Sequence, residues 1–334
     1  MPLIAESQIP TISITNRVTQ FEKVFVIGLP ERTDKRDALV LMASLTGIKL
    51  TWLDGVKGSD VTNKALPLGW DPTKMPENNL GSWRGHTNAI RQILSADLSS
   101  ALIMEDDMDW DVHLKPQLSL FASAAKKIQT QPADNLFSQL PSPLAAPSPY
   151  GQNWDMLWLG SCATTFDEHL PPDLQIPAQE RDGRKILILD DETVPSWNHI
   201  KGNLSFGWEE YPPQTRIVHV PGDNICSFAY ALSASGARKA LEYLGLEGQH
   251  KAFDNHLSDL CRVRANGMRC VGVVPSLFVH HRPRGRVDGD SDINVGGGNG
   301  EIREVGMTEN ILYSTRLNLG NLLRGFQPER QWPD

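Results

Sequence analysis

Short apolar runs and helical periods succeed one another along most of the chain. Residues 23–29, KVFVIGL, form a compact apolar run bounded by Glu22 and Pro30, which predicts a buried strand. A polar turn, PERTDKR, follows. Asp37 to Gly47 (DALVLMASLTG) then has the period of an amphipathic helix and closes on glycine. Residues 48–54, IKLTWLD, predict a second strand. Strand, helix, strand in that order predicts a parallel sheet covered by helices.

Residues 57–80 are rich in Gly, Pro, Asn and Lys and predict a long loop. SWRGHTNAIRQILSA, around 82–96, puts Ile90, Ile93 and Leu94 on one helical face, and ALIM at 101–104 is the next strand. A helix is predicted over about 116–129, with Pro116 at its first position. Further strands are predicted at 154–160 (WDMLWLG), 185–190 (KILILD, a hairpin arm) and 216–220 (RIVHV). ICSFAYALS at 225–233 is apolar, and SASGARKALEYLG at 233–245 predicts a serine-capped helix. Pro275 interrupts the apolar run at 269–279, giving one or two short strands. The chain therefore divides into an N-terminal extension over 1–20, an α/β body over 21–295 and a C-terminal tail over 296–334. Insertions are expected near 130–151 and within 161–215, and the tail carries a weak helical signal near 307–320.

Composition narrows the class. A chain of 334 residues with 40% apolar content is globular, and no apolar run is long enough for a spanning helix. MPLIAESQIPTISITN lacks the basic and apolar regions of a signal peptide. A secretory or Golgi location would need a targeting segment beyond this sequence; otherwise the cytoplasm is expected. The net charge of -8 argues against a nucleic-acid partner. The four cysteines show no CxxC spacing, so neither a zinc site nor a disulfide scaffold is expected, though one pair could meet in space. Asn203-Leu204-Ser205 is an acceptor sequon that matters only on the secretory route.

The chemistry concentrates in ALIMEDDMDW, residues 101–110. Glu105, Asp106 and Asp107 follow the predicted strand directly, and open α/β sheets bind ligands at the carboxyl ends of their strands. Adjacent carboxylates repel unless a cation compensates, so the alternatives are a solvated turn or a site for Mg²⁺ or Mn²⁺. Arg32 and Arg36 would share a helix face and could grip a diphosphate, or simply lie on the surface. His280 and His281 could complete a metal shell or form a surface pair near arginines. Asp254 could serve as a general base or as a helix N-cap. No GxGxxG, GxxxxGK[ST] or GxSxG is present. One of Asp109 and Asp111 is expected merely to cap or to face solvent, and neither is assigned to the site.

The order of these pieces resembles glycosyltransferase family 25, the lipopolysaccharide-biosynthesis and collagen galactosyltransferases. The resemblance rests on VFVIGLPERTDKRDALVLMASLTGIKLTWLDGVKG and on GSWRGHTNAIRQILSADLSSALIMEDDMDW, with His86 and Glu105–Asp107. It continues through DMLWLG, FAYALSASGARKALEYL with Tyr230, FDNHLSDLC, VVPSLFVHH and SDIN. Gly28 stands where that family usually has Asn, and the long insertions are more similar to fungal members.

The resemblance implies a GT-A type fold, with a Rossmann-like, mostly parallel sheet flanked by helices. It implies metal-dependent, inverting transfer of a hexose, galactose from UDP-galactose, to a hydroxyl of a glycan or glycoprotein. Asp107 with Glu105, and His280 or His281, would hold Mn²⁺ (or Mg²⁺). Arg32, Arg36, His86, Asp106 and Tyr230 would contact the nucleotide sugar, and Asp254 would be the base. The rival readings are a metal-dependent phosphodiesterase or nucleotidyltransferase, and a non-catalytic carbohydrate-binding protein.

Overall fold

The computed structural model describes residues 18–130, 148–170, 183–247, 251–293 and 300–333. The N-terminal extension up to residue 17, most of the 130–151 insertion, 171–182 and the glycine run at 294–299 lie outside the described residues.

The first half alternates strand and helix: β1 Lys23–Gly28, α1 Thr33–Thr46, β2 Thr51–Asp54, α2 Glu77–Ser95 and β3 Ser100–Glu105. After β4 Met108–Trp110 and α3 Leu114–Thr130, the chain forms β5 Met156–Gly160, β6 Ala163–Phe166, β7 Lys185–Ile188 and β8 Asn203–Leu204. Next come β9 Arg216–His219, β10 Pro221–Ile225, β11 Ala229–Ser233, α4 Ala234–Gly245 and α5 Phe253–Arg262. The chain continues through β12 Cys270–Val274, β13 Phe278–Arg282, β14 Gly285–Arg286, β15 Ile302–Arg303, β16 Met307–Thr308 and α6 Leu319–Leu323.

An eight-stranded sheet runs in the order β2-β1-β3-β11-β5-β12-β9-β7. Alternation sorts its side chains into two layers. Val24, Val26, Leu102 and Met104 pack with Leu39, Met42 and Phe121 of α1 and α3. Phe25, Ala101 and Ile103 pack with Trp83, Ile90, Ala237 and Leu257 of α2, α4 and α5 on the other face. Helices thus cover both faces, and the strand ends are left to carry a site.

The expectation of a mostly parallel sheet is corrected. β2, β1 and β3 are parallel, as are β5 and β12, but β11, inserted between β3 and β5, is antiparallel to both. The β12–β9 and β9–β7 pairs are antiparallel too. The fold is mixed α/β. An apolar run such as FAYALS specifies burial on both faces, which either strand direction satisfies.

Several predicted boundaries hold. Gly47 ends α1 in the left-handed conformation at φ 73°, and the Ser233 hydroxyl caps α4 by accepting from the Gly236 N–H at 3.0 Å. Gly236 also has a packing reason. A Cβ there would lie 1.9 Å from the Asp155 carbonyl oxygen, which belongs to backbone and cannot swing aside. Gly236→Ala is expected to destabilise the protein by about 1–3 kcal/mol, the usual cost of forcing atoms into a filled core. Chemical denaturation of the variant checks this; a neutral result would show that α4 can slide away from β5.

The cysteine expectation is corrected as well. Cys162 pairs with Cys226 and Cys261 with Cys270. The first pair spans 64 residues and is assembled only when β6 and β10 meet in a small sheet, which no local spacing could disclose. No helix among the described residues is long and apolar enough to cross a membrane.

Candidate functional site

β3 ends on Glu105, and the chain turns through Asp106 and Asp107 into β4. β4 leaves the main sheet and pairs antiparallel with β13, setting Met108 opposite His280. That pairing is what brings a histidine from far along the chain to the acidic turn, and the His281 N–H donates to the Asp107 carbonyl at 2.8 Å. His280 Nε2 lies 3.4 Å from Glu105 Oε2 and 3.4 Å from Asp107 Oδ1. Glu105, Asp107 and His280 form a cluster able to hold a metal ion.

The donor set fits a divalent cation. Two carboxylates and an imidazole can each supply a ligand atom, and Asp107 Oδ1 is buried with no hydrogen-bond partner, facing the cluster. A bound cation would satisfy this acceptor. Glu105 is held in place by the Ser227 hydroxyl, which donates to Oε1 at 2.8 Å. Burial pushes its pKa up, but His280, His86 and the Ser227 hydroxyl outweigh that and hold it well below the usual carboxylate range. Glu105 thus stays ionised in the pH range where a metal would bind.

Strand alternation separates the two histidines. His280 faces the acids, with the Phe228 ring 3.8 Å from its own. His281 points to the other side, where Nδ1 meets the Thr308 hydroxyl at 2.9 Å and lies 3.9 Å from Asp109. Burial, with Arg316 and Arg303 nearby, lowers the His281 pKa to about 4.

The cluster opens into a cavity of about 540 Å³, within the usual size of small-molecule sites. Its walls include Gly28, Lys35, Val56, His86, Asp106 and Asp254. Asp106 points away from the metal cluster and accepts from Lys35 Nζ at 3.0 Å; Lys35 also donates to Asp292 at 2.7 Å. Burial raises the Asp106 pKa to about 6, Lys35 opposes it, and the Asp107 charge adds to the rise. Glu105 and Asp106, adjacent in the chain, are therefore pushed in opposite directions. Gly28 completes this contact: a Cβ there would lie 2.4 Å from Asp106 Oδ2 and 2.6 Å from its Cβ.

The first-turn cations divide in a way the sequence did not indicate. One residue on a helix is a rotation of about 100°. Lys35 enters the cavity, whereas Arg32 pairs with Asp34 and Asp292, and Arg36 with Asp54 at 2.6 Å across the face of Trp52. Neither arginine lines the cavity. Lys35→Met would leave the buried Asp106 without its cation, while Asp292 keeps only Arg32. We expect a loss of roughly 2–3 kcal/mol, below the value for a fully buried pair because Asp292 is partly exposed. Denaturation at neutral pH checks this, and an unchanged midpoint would contradict it.

His86, on α2, is buried and lines the cavity. It stacks on Phe253 at 4.2 Å, meets the Tyr230 hydroxyl through Nδ1 at 3.0 Å, and has Nε2 3.7 Å from Glu105. Burial lowers its pKa to about 4, so it is neutral near pH 7. Tyr230 is fully buried behind it and does not line the cavity. Asp254 sits in the first turn of α5, with Ala252 at the N-cap position. Its Oδ2 accepts from the Cys226 N–H at 3.2 Å, beside the Cys162–Cys226 disulfide.

Neither Asp109 nor Asp111 faces solvent, though Asp111 does accept from a backbone N–H at the start of α3. Both are fully buried. Asp109 accepts from the Thr308 hydroxyl at 2.6 Å, the Ser314 hydroxyl, the Arg316 N–H at 3.1 Å and the Trp110 N–H at 2.8 Å. Asp111 accepts from the N–H of His113 and from that of Tyr313. Together they bind the C-terminal segment across β4.

Lys35, Ser227 and Asp292 are site residues that sequence reasoning did not assign. Lys35 could have been found from its place between Arg32 and Arg36. Ser227 carries no local signal.

No family model matches the chain. The chain is 24% identical over 151 residues to procollagen galactosyltransferase 1 of Danio rerio, a match covering 42% of this chain and 21% of that protein. The similarity is distant, and the chain spans about a fifth of that relative's length. With the candidate metal cluster, it is consistent with a metal-dependent transfer activity.

Proposed function

We propose that the protein is a glycosyltransferase of GT-A type that transfers a hexose, galactose from UDP-galactose, to a hydroxyl of a glycan or glycoprotein with inversion. The observation that carries this reading is the Glu105–Asp107–His280 cluster at the carboxyl end of β3, opening into the cavity. The distant similarity to a galactosyltransferase adds the reaction class.

In this reading Glu105, Asp107 and His280 hold Mn²⁺ (or Mg²⁺), which when bound offsets charge on the departing diphosphate. The backbone at Gly28 and Gly55 and the side chains of Leu29 and Val56 form the wall for the nucleoside. Lys35 contributes positive charge to the cavity next to Asp106, which receives the ribose or the sugar. His86, neutral and braced by Tyr230, donates to or accepts from a sugar hydroxyl. Asp254, also on the cavity wall, takes the proton of the acceptor hydroxyl as it attacks the anomeric carbon. Arg32 and Arg36 act at one remove, through Asp292 and Asp54. Two disulfides suit an oxidising compartment of the secretory route.

A screen of nucleotide sugars with Mn²⁺, read by product analysis, tests the proposal. Sugar transfer breaks the bond at the anomeric carbon and releases UDP. A phosphodiesterase would instead cleave between the phosphates and release UMP with the sugar phosphate, and a nucleotidyltransferase would place that UMP group on an acceptor. UDP release from UDP-galactose that stops with EDTA supports the reading, and UMP as the nucleotide product overturns it.

A further inference from the structure

We infer that Arg282 holds His280 in a form that cannot ligate a metal, and that a bound diphosphate releases it by drawing the guanidinium away. The inference rests on the proposed metal and nucleotide site. It assigns Arg282 a positioning role that makes metal and nucleotide binding depend on each other.

Arg282 lies two residues beyond His280 on β13, so the two side chains share a strand face. Its Nη2 is 2.9 Å from His280 Nδ1. A guanidinium has five N–H donors and no acceptor, so in this contact Nδ1 must accept. A neutral imidazole that accepts at Nδ1 carries its proton on Nε2. Nε2 is the nitrogen facing Glu105 Oε2 and Asp107 Oδ1, each at 3.4 Å. A cation entering the cluster would therefore meet an N–H where it needs a lone pair.

For Nε2 to bind a metal, the ring must carry its proton on Nδ1. That N–H cannot accept from Arg282. The Arg282–His280 hydrogen bond and metal ligation by His280 exclude each other. No change in the number of bound protons is involved: the ring exchanges one tautomer for the other through solvent.

The same guanidinium places Nη1 3.8 Å from Asp107 Oδ2, so it supplies the acidic turn with positive charge while no metal does. Phe228 packs against the His280 ring, so the side chain with room to move is Arg282, which is 31% exposed. A bound diphosphate would offer the pair of oxygens that a guanidinium binds in two-pronged fashion, and Arg282, which stands outside the cavity wall beside His280, would swing into the cavity to reach it. Arg282 would then exchange His280 and Asp107 for phosphate, and His280 would become free to ligate.

The test compares Mn²⁺ binding by the wild type and Arg282→Met, with and without UDP, at low and high salt. Arg282→Ala serves if the methionine variant folds poorly. Wild type should bind Mn²⁺ weakly alone and much more tightly with UDP. The variant should bind Mn²⁺ alone roughly tenfold more tightly, the worth of one charge-assisted hydrogen bond. UDP should then add correspondingly less, and the gain should persist at high salt. ¹⁵N spectra of the histidine rings without metal should show His280 protonated on Nε2 in the wild type and shifted toward Nδ1 in the variant. Mn²⁺ affinity that is unchanged, weakened or raised only at low salt would overturn the inference, as would an Nδ1–H ring in the wild type. If Mn²⁺ and UDP bind independently of each other in the wild type, the gating fails while the nucleotide site stands. If UDP does not bind even with Mn²⁺, the nucleotide reading falls, and with it the release step.

Discussion

Replacing Asp107 by Asn should lower Mn²⁺ affinity by about 100-fold or more, because a hard cation loses a charged oxygen ligand from a set of three protein groups. The same change should leave folding stability intact or raise it by about 1 kcal/mol. Asp107 Oδ1 is buried without a hydrogen-bond partner, so the metal-free protein bears the cost of an unsatisfied acceptor. Opposite effects on binding and stability are what a residue kept for function shows. Calorimetric Mn²⁺ titration and chemical denaturation of the same variant measure both. An Asp107→Asn protein that binds metal normally, or that unfolds much more readily, would make the acid a structural element.

The largest stability effect is expected two residues further on. Asp109→Ala removes the acceptor of two buried hydroxyls and two backbone N–H groups, those of Trp110 and Arg316. Stranding several buried donors should cost about 3–5 kcal/mol. The damage should be local first. The segment from Thr308 to Arg316 is tied to β4 by Asp109, by Asp111 and by the Thr315 N–H to the Trp110 carbonyl at 2.9 Å. β4 in turn fixes β13 and therefore His280. Hydrogen exchange should show loss of protection across 308–316 well before the main sheet, with weakened metal binding as a consequence. Full protection there in Asp109→Ala would refute the role of the carboxylate as the anchor of this segment.

These two aspartates show where the sequence was readable. The stretch ALIMEDDMDW announces an acidic turn at a strand end, and β3 does end on Glu105. The stretch does not announce that β4 follows so closely, since three residues, MDW, are too few to carry a period. Alternation along β13 assigns His280 and His281 to opposite sides, and it meets the acids only once β13 has paired with β4. For the same reason His280 and His281 were indistinguishable in the sequence.

The first half of the chain was legible because strand and helix alternate there with clear stops such as Gly47. β11 was legible as an apolar strand and illegible in direction, which is a property of its neighbours Met104 and Leu157. The pairing of Cys162 with Cys226 and the meeting of Lys35 with Asp292 join residues far apart in the chain. Their local surroundings carry no trace of the partner, so only the folded sheet specifies them.

The central claim is that the Glu105–Asp107–His280 cluster holds a divalent cation against the diphosphate of a nucleotide. Calorimetric titration of UDP into the protein with Mn²⁺, and again with EDTA, tests it most directly. The account predicts saturable binding with Mn²⁺ at one site per chain and its loss with EDTA. UDP binding of equal affinity in both conditions, or none in either, would contradict it.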